Sequence, residues 1–286
     1  MEVGGIILKE KVILVTGASG GIGFCISKLL IAQGHKVYAT TRKADSEKIN
    51  ELKNLGVNII ELDVTSDERC KKCVEELIKK EKRIDVLINN AGYGYYGPIE
   101  TVEIDEAKKQ LEVNVFGLVR MTKLVLPYMR ENKSGKIINI SSVAGRVTTY
   151  LGGWYHASKY AVETLSNSLR MELKEFGIDV VLIEPGAIAS NWGIIAADNL
   201  ESSTKNTVYE KNASHVVNAY RKMYDPKNKI ISSPELVAKK VNKAVKASRP
   251  KARYAFGFGA KALIFSHALL PTRMFDCIMK NMYKGM

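Results

Sequence analysis

Short apolar runs alternate along the chain with longer stretches whose apolar residues recur at helical spacing. Residues 12–16 form an apolar run, predicted as a buried strand, and residues 22–33 follow with helical period and stop at Gly34. The alternation continues with a strand at 36–40, a helix at 45–55 ended by Gly56, and a strand at 57–62. A helix at 67–82 follows, capped by Ser66, and then a strand at 84–88. Residues 104–130 predict one long helix with Pro127 near its end. A strand at 136–140 precedes a helix at 153–176 closed by Gly177, and a strand at 180–183 comes next. The signal blurs over 190–233, then resumes as a helix at 234–247 and a last strand at 253–256.

Strands that alternate with helices predict an α/β fold with a parallel sheet. Their continuous apolar character predicts a sheet covered on both faces, a doubly wound Rossmann arrangement. The 286 residues show no linker, internal repeat or low-complexity tract, so residues 1–286 are expected to form a single domain.

The first strand leads into TGASGGIG, Thr16 to Gly23, and directly into a helix. Gly17 permits the tight turn, Gly21 lets the backbone approach a diphosphate, and Gly23 allows close helix–sheet packing. The helix N-terminus offers free N–H groups to phosphate. The spacing is G-x-x-x-G-x-G, and Ser19 and Ile22 of the same loop count among the expected cofactor contacts. An acidic residue at the end of the second strand would hold a ribose 2′-hydroxyl; here stand Thr40, Thr41, Arg42 and Lys43. The planar fork of Arg42 suits a 2′-phosphate, so NADP(H) is expected over NAD(H). Asp63, with Val64 beside it, follows the third strand as a candidate to hold the adenine amino group.

Tyr155 and Lys159 stand four apart in YHASK and share a helix face. A phenol titrates near pH 10, and a nearby ammonium lowers that value, so the pair suits proton transfer to or from a carbonyl/alcohol oxygen. Ser142 follows the strand at 136–140, where α/β sheets bind ligands, and is placed to hydrogen-bond the reacting oxygen. Asn114, unfavourable inside a helix, suits a local role such as holding a water near Lys159. NNAG, Asn89 to Gly92, follows the fourth strand as a turn that can pass close to a nucleotide.

In order and spacing, TGASGGIG, NNAG, Asn114, Ser142, YHASK and the Pro185-Gly186 turn resemble the short-chain dehydrogenase/reductase family over residues 11–256. The resemblance implies a tetrad: Tyr155 as acid/base, Lys159 lowering its pKa and binding the nicotinamide ribose, Ser142 orienting the substrate oxygen, and Asn114 supporting a relay water. It also implies that Asn90, Ala91 and Gly92 line the cofactor, and that Pro185, Gly186, Ile188 and Ser190 flank the nicotinamide. Ser190 stands where the family usually has threonine. NADP-preferring members often carry a basic residue where this chain has Gly20, so the NADP(H) expectation rests on Arg42. VYATTR and the long C-terminal extension look most like the branch of 17β-hydroxysteroid dehydrogenases, retinol dehydrogenases and acyl-dihydroxyacetone-phosphate reductases. That branch implies an apolar steroid-, retinoid- or lipid-like carbonyl or alcohol. The alternatives are an NAD-dependent alcohol dehydrogenase of the same family and a non-catalytic nucleotide-binding regulator.

Lys and Arg outnumber Asp and Glu by 43 to 30, giving a net charge of +13. The cations are scattered and no basic–aromatic module is present, so no nucleic-acid partner is expected. Cys70 and Cys73 form a CxxC on a charged amphipathic helix, with no His cluster or second pair beside it. Bystander thiols, no metal, and a cytoplasmic setting are expected. Residues 1–8 lack a signal-peptide layout, and no apolar run is long enough to span a membrane.

Residues 190–233, with Trp192, Ile194, Ile195, Tyr209, Val216, Tyr220 and Tyr224, are either an apolar substrate lid or an ordinary two-helix insertion. Tyr93, Tyr95 and Tyr96 are further candidates to line the cleft, and His156 and His215 are expected to be structural or exposed. The long helix is apolar on more than one face and predicts a homodimer or homotetramer. The extension at 257–286 mixes apolar and basic residues. It would dock on the protein's own core, cap the cleft or make peripheral contact with a membrane.

Overall fold

The computed structural model describes residues 10–228 and 230–283; the leader reading of residues 1–8 lies outside them. Its first half reads β1 (Val12–Val15), α1 (Gly21–Ala32), β2 (Lys36–Thr41), α2 (Glu47–Asn54), β3 (Asn58–Glu61), α3 (Asp67–Glu81) and β4 (Val86–Asn89). The second half reads α4 (Ile104–Leu111), α5 (Leu118–Glu131), β5 (Gly135–Ile140), α6 (Gly153–Glu172) and β6 (Ile178–Pro185). It ends with α7 (Trp192–Thr204), α8 (Glu210–Met223), α9 (Pro234–Lys246), β7 (Arg253–Phe256), α10 (Ala260–Leu269) and α11 (Thr272–Asn281). The seven strands form one parallel sheet in the order β3-β2-β1-β4-β5-β6-β7.

Side chains alternate across each strand, and here both faces are apolar. Ile13 and Val15 of β1 pack with Ile26 and Leu30 of α1, Leu52 of α2, and Val237 and Val241 of α9. Val12 and Leu14 face the other way, onto Leu77 of α3 and Met121 and Val125 of α5. The strand order reverses between β1 and β4, where the chain leaves β1 for one flank and later crosses to the other. The loops at the carboxyl ends of these two strands diverge and leave a crevice, the place where doubly wound sheets bind ligands. The predicted single Rossmann domain is thus observed.

Residues 104–131 do not form one regular helix. A π-helical turn, Glu112–Gly117, joins α4 to α5 and contains Asn114. Such turns widen the hydrogen-bond ladder by one residue, a difference that spacing of apolar residues does not register. Residues 190–233 resolve into α7 and α8. Cys70 and Cys73 lie on the buried side of α3 among the core residues. Burial pushes their thiols up to about 11 and about 12, so they are poor nucleophiles and belong to the core. Among the described residues no group of three or more His, Cys, Asp or Glu is placed to hold a metal.

Candidate active site

The loop after β1 and the turn after β4 are sewn together by side chains. Thr16 Oγ1 accepts from the backbone N–H groups of Asn90 and Ala91, both at 3.0 Å. Asn90 Nδ2 donates to the carbonyl oxygens of Thr16 at 3.0 Å and Gly17 at 2.8 Å. From the end of β2, the Thr40 carbonyl accepts from Ala18 N at 2.7 Å and its hydroxyl from Gly17 N at 3.3 Å. Gly17 has φ +71°, and a Cβ there would lie 2.9 Å from Ala91 Cα, so the turn requires glycine.

Helix α1 begins at Gly21 without a side-chain cap. Its first N–H groups and the positive end of its dipole are left for an anion, a cradle that fits a dinucleotide diphosphate. Gly23, expected to allow close helix–sheet packing and counted with its loop among the cofactor-site residues, does not line the cleft. It is buried, and a Cβ there would collide with the Gly17 carbonyl oxygen, so its part is to let helix and loop touch. Gly17, Ser19, Gly21 and Ile22 line the cleft, as do Asn90, Ala91 and Gly92 on the facing turn. Pro185, Gly186, Ile188 and Ser190 line it farther along. Arg42 is exposed where the cleft passes the end of β2, with Asp63 and Val64 beyond it after β3. Burial pulls Asp63 upward, but hydrogen bonds from Thr65 and the Arg42 guanidinium outweigh it and hold the carboxyl below its ordinary range.

The chemistry-bearing residues meet at the carboxyl ends of β4, β5 and β6. Tyr155 and Lys159, one turn apart on α6, are both buried, and the Lys159 ammonium lies 5.9 Å from the Tyr155 ring centroid. Lys159 Nζ donates to the Ile140 carbonyl at 3.0 Å. Ser142 Oγ accepts from Ala144 N at 3.1 Å and so fixes the short turn after β5. Asn114 sits behind the cleft wall. Its Oδ1 accepts from Tyr93 N at 3.0 Å, and its Nδ2 donates to Tyr93 O at 2.9 Å and Ser158 Oγ at 3.0 Å. A Cβ on Gly92 would lie 3.0 Å from Asn114 Oδ1 and 3.9 Å from Lys159 Nζ, so these three residues share one corner.

The sequence expectation was a phenol made more acidic by Lys159. In this structure burial dominates instead: it pushes Tyr155 up to about 12, against the pull of a hydrogen bond with Ser142. Burial also draws Lys159 down to about 8, against the Glu163 carboxylate, which raises it. At neutral pH the site therefore holds a neutral phenol beside a charged ammonium.

The cleft, about 2430 Å³, runs past Tyr155 into an aromatic wall. The Trp192 ring lies 5.0 Å from that of Tyr155 and 5.8 Å from that of Tyr96. A Cβ on Gly94 would come within 2.5 Å of the Trp192 ring, so this approach needs the glycine. Tyr220 of α8 and Tyr224 just after it extend the wall, and Tyr283, after α11, closes it 5.9 Å from Tyr220. Tyr93 and Tyr96 line the cleft; Tyr95 does not, and its N–H is turned to Gln110 Oε1. His156 is a buried structural tie, with Nδ1 2.6 Å from Val147 O and Nε2 2.8 Å from Thr149 Oγ1, while His215 is exposed.

Beneath the site lies a group the sequence reading missed. Glu163, one turn beyond Lys159, and Glu184, at the end of β6, are both buried and share the Arg253 guanidinium. Arg146 reaches Glu184 at 3.4 Å. Glu184 directly after the apolar run 180–183 was the available signal: a carboxylate buried there has to find a cation.

The short chain dehydrogenase family matches residues 11–198, and the chain belongs to that family. It is 37% identical over 272 residues to a probable short-chain type dehydrogenase/reductase, VdlC, of Helicobacter pylori, covering 95% of this chain and 97% of that one. It is 39% identical over 275 residues to an NADPH-dependent 3-dehydrocapnine reductase of Ornithobacterium rhinotracheale, covering 93% and 94%. A 3-ketodihydrosphingosine reductase of Bacteroides thetaiotaomicron is 45% identical over 179 residues, covering 63% and 64%. Among solved structures, a short-chain dehydrogenase from Streptomyces avermitilis superposes with TM-score 0.78 at 29% identity over 97% of this chain and 98% of that one. The closed form of serine dehydrogenase complexed with NADP+ superposes with TM-score 0.68 at 30% identity, covering 86% and 94%. The protein is an NAD(P)-dependent oxidoreductase of the CH–OH/C=O class with a Tyr–Lys catalytic pair.

Proposed function

We propose that the protein is an NADPH-dependent reductase of an apolar, lipid-like ketone, which it converts to the secondary alcohol. The observation that carries this reading is the course of the cleft. Beyond Tyr155 it is walled by Trp192, Ile195, Leu263, Ile278 and Met282, a lining that takes an alkyl chain and excludes water. Of the apolar classes, a long-chain aliphatic ketone is preferred over a steroid or retinoid, because two relatives are named as reductases of such ketones.

The nicotinamide, when bound, supplies the hydride. Tyr155, neutral at physiological pH, donates its proton to the oxygen as charge develops there, and Ser142 orients that oxygen from the end of β5. Lys159 binds the nicotinamide ribose and steadies the phenolate left behind. Asn114 holds the Gly92–Tyr93 turn and supports the water that returns the proton. Arg42 selects NADP(H) by its 2′-phosphate, with Asp63 at the adenine. Helices α7 and α8 form the lid and the 257–286 extension closes the far wall. The protein works in the cytoplasm as a homodimer or homotetramer paired through α4, the π-helical turn and α5, where Ile104 and Phe116 are exposed.

The test is NADPH oxidation at 340 nm with wild type and Tyr155→Phe, against long-chain 3-ketones, steroid and retinal carbonyls, and small ketones. Turnover of the long-chain ketones, lost in Tyr155→Phe with NADPH binding retained, is expected. Turnover confined to small polar ketones would overturn the substrate reading, and equal use of NADH would overturn the cofactor reading.

A further inference from the structure

Helix α10 has no polar side. Lys261, Ser266 and His267 point in three different directions, and the rest of Ala260–Leu269 is apolar. A helix of this kind is ordinarily buried. Here only its inner edge is: Ala260 is buried, and Leu263 packs on Val147, Phe275 and Met279. Phe265 and Leu269, one turn apart on one face, are each 68% exposed. On α11 Met274 and Ile278 repeat the spacing and are also exposed, as is Phe258 just before α10. The ring contact between His267 and the buried Phe275, 4.8 Å between centroids, packs the two helices against each other. Single exposed apolar residues are ordinary, but several on two helices packed together mark a surface made to meet something.

The charges around it say what. Lys261, Arg273 and Lys280 stand on these helices against one acidic residue, Asp276, and none of the three is in an ion pair among the described residues. The whole chain carries +13. A two-fold contact between copies would bring each patch against itself and set these cations against their own kind. A surface of anionic headgroups over acyl chains matches both features, apolar side chains entering and cations staying at headgroup level. The position is also informative: Leu263, Ser266 and Met279 on the inner side of these two helices line the substrate cleft, and the exposed Phe258 and Ile278 stand at its rim.

We infer that α10 and α11 seat the protein on an anionic lipid monolayer, with the mouth of the cleft opening onto the acyl chains. A membrane-resident carbonyl then passes from lipid to Tyr155 without crossing water. That purpose rests on the substrate reading above; the docking surface does not, and the two can fail separately.

The experiment is co-sedimentation of the full chain with phosphatidylcholine vesicles, with and without phosphatidylglycerol, comparing wild type with the double variant Phe265→Ser/Leu269→Ser. Neither residue lines the cleft. NADPH binding by fluorescence, unchanged in the variant, shows that it is folded. Wild type is expected to pellet with phosphatidylglycerol vesicles and to be released by added salt. The variant is expected to partition about tenfold less or weaker, each lost side chain removing buried apolar area. Wild type remaining in the supernatant, or the variant pelleting equally, overturns the inference. It is overturned also if the wild type ignores vesicles but self-associates by light scattering and the variant does not, which makes the face a subunit seam. Vesicle binding without turnover of any long-chain ketone leaves the docking surface standing and removes the substrate reading.

Discussion

The two halves of the cleft are built by different physics. On the nucleotide side, Thr16, Thr40 and Asn90 fix the backbone of facing loops by directed hydrogen bonds, and glycines occupy positions where any side chain would collide. On the substrate side, α7, α8, α10 and α11 meet through rings and aliphatic chains, with Trp192, Tyr96, Tyr220 and Tyr283 in a chain of ring contacts. Directed bonds define one geometry for one ligand, as suits a cofactor common to many enzymes. Apolar contact is non-directional and tolerates changes of shape, as suits the variable partner in the reaction.

The largest expected effect breaks the nucleotide side. Gly23→Ala would drive a methyl into the Gly17 carbonyl oxygen and Asn90, so dinucleotide binding, read by NADPH fluorescence, should be lost together with about 2–3 kcal/mol of stability. Full retention of binding would show that the loop is softer than its hydrogen bonds imply. Arg42→Ala comes next. Losing a charge-assisted bond to phosphate should weaken NADPH binding by roughly 10- to 100-fold and leave NADH binding unchanged. An equal loss for both cofactors would place Arg42 in folding rather than recognition.

On the substrate side, Trp192→Ala should lower kcat/KM for a long-chain ketone by about tenfold and spare a small ketone. A similar loss for both would mean that the indole serves Tyr155 and not the chain. The smallest effect joins the halves. Glu163 raises the pKa of Lys159, whose value of about 8 separates a charged form below from a neutral form above. Reduction should therefore slow as pH rises through about 8. Glu163→Gln should move that decline to lower pH, because the charge that favours the ammonium is gone. The kcat profile reads this directly. An unmoved profile with lower thermal stability would make Glu163 only a partner of Arg253.

What the sequence showed follows the same division. Strand runs, the glycine loop and YHASK are local patterns in which a few neighbouring residues carry the whole physical requirement, and nearly every residue named from them faces the cleft. Gly23 and Asn114, counted with the motif residues of the site, stand behind the wall, because a motif does not show which side of the loop faces the ligand. The π-helical turn was invisible, since one shifted hydrogen bond leaves apolar spacing almost unchanged. Tyr283 and the Glu163–Arg253–Glu184 group were missed for another reason: their partners lie far away in the chain. Residues 190–233 blurred because α7 and α8 pack partly on each other and on the cleft, so neither has a simple one-sided stripe.

The most direct test of the whole account is kcat/KM for NADPH-dependent reduction across 3-ketones that share one polar end and differ in alkyl length. A rise with chain length, reduced by Trp192→Ala and absent with NADH, is the predicted result. A flat or falling series would contradict it, leaving the nucleotide side as described and assigning the aromatic wall to packing alone.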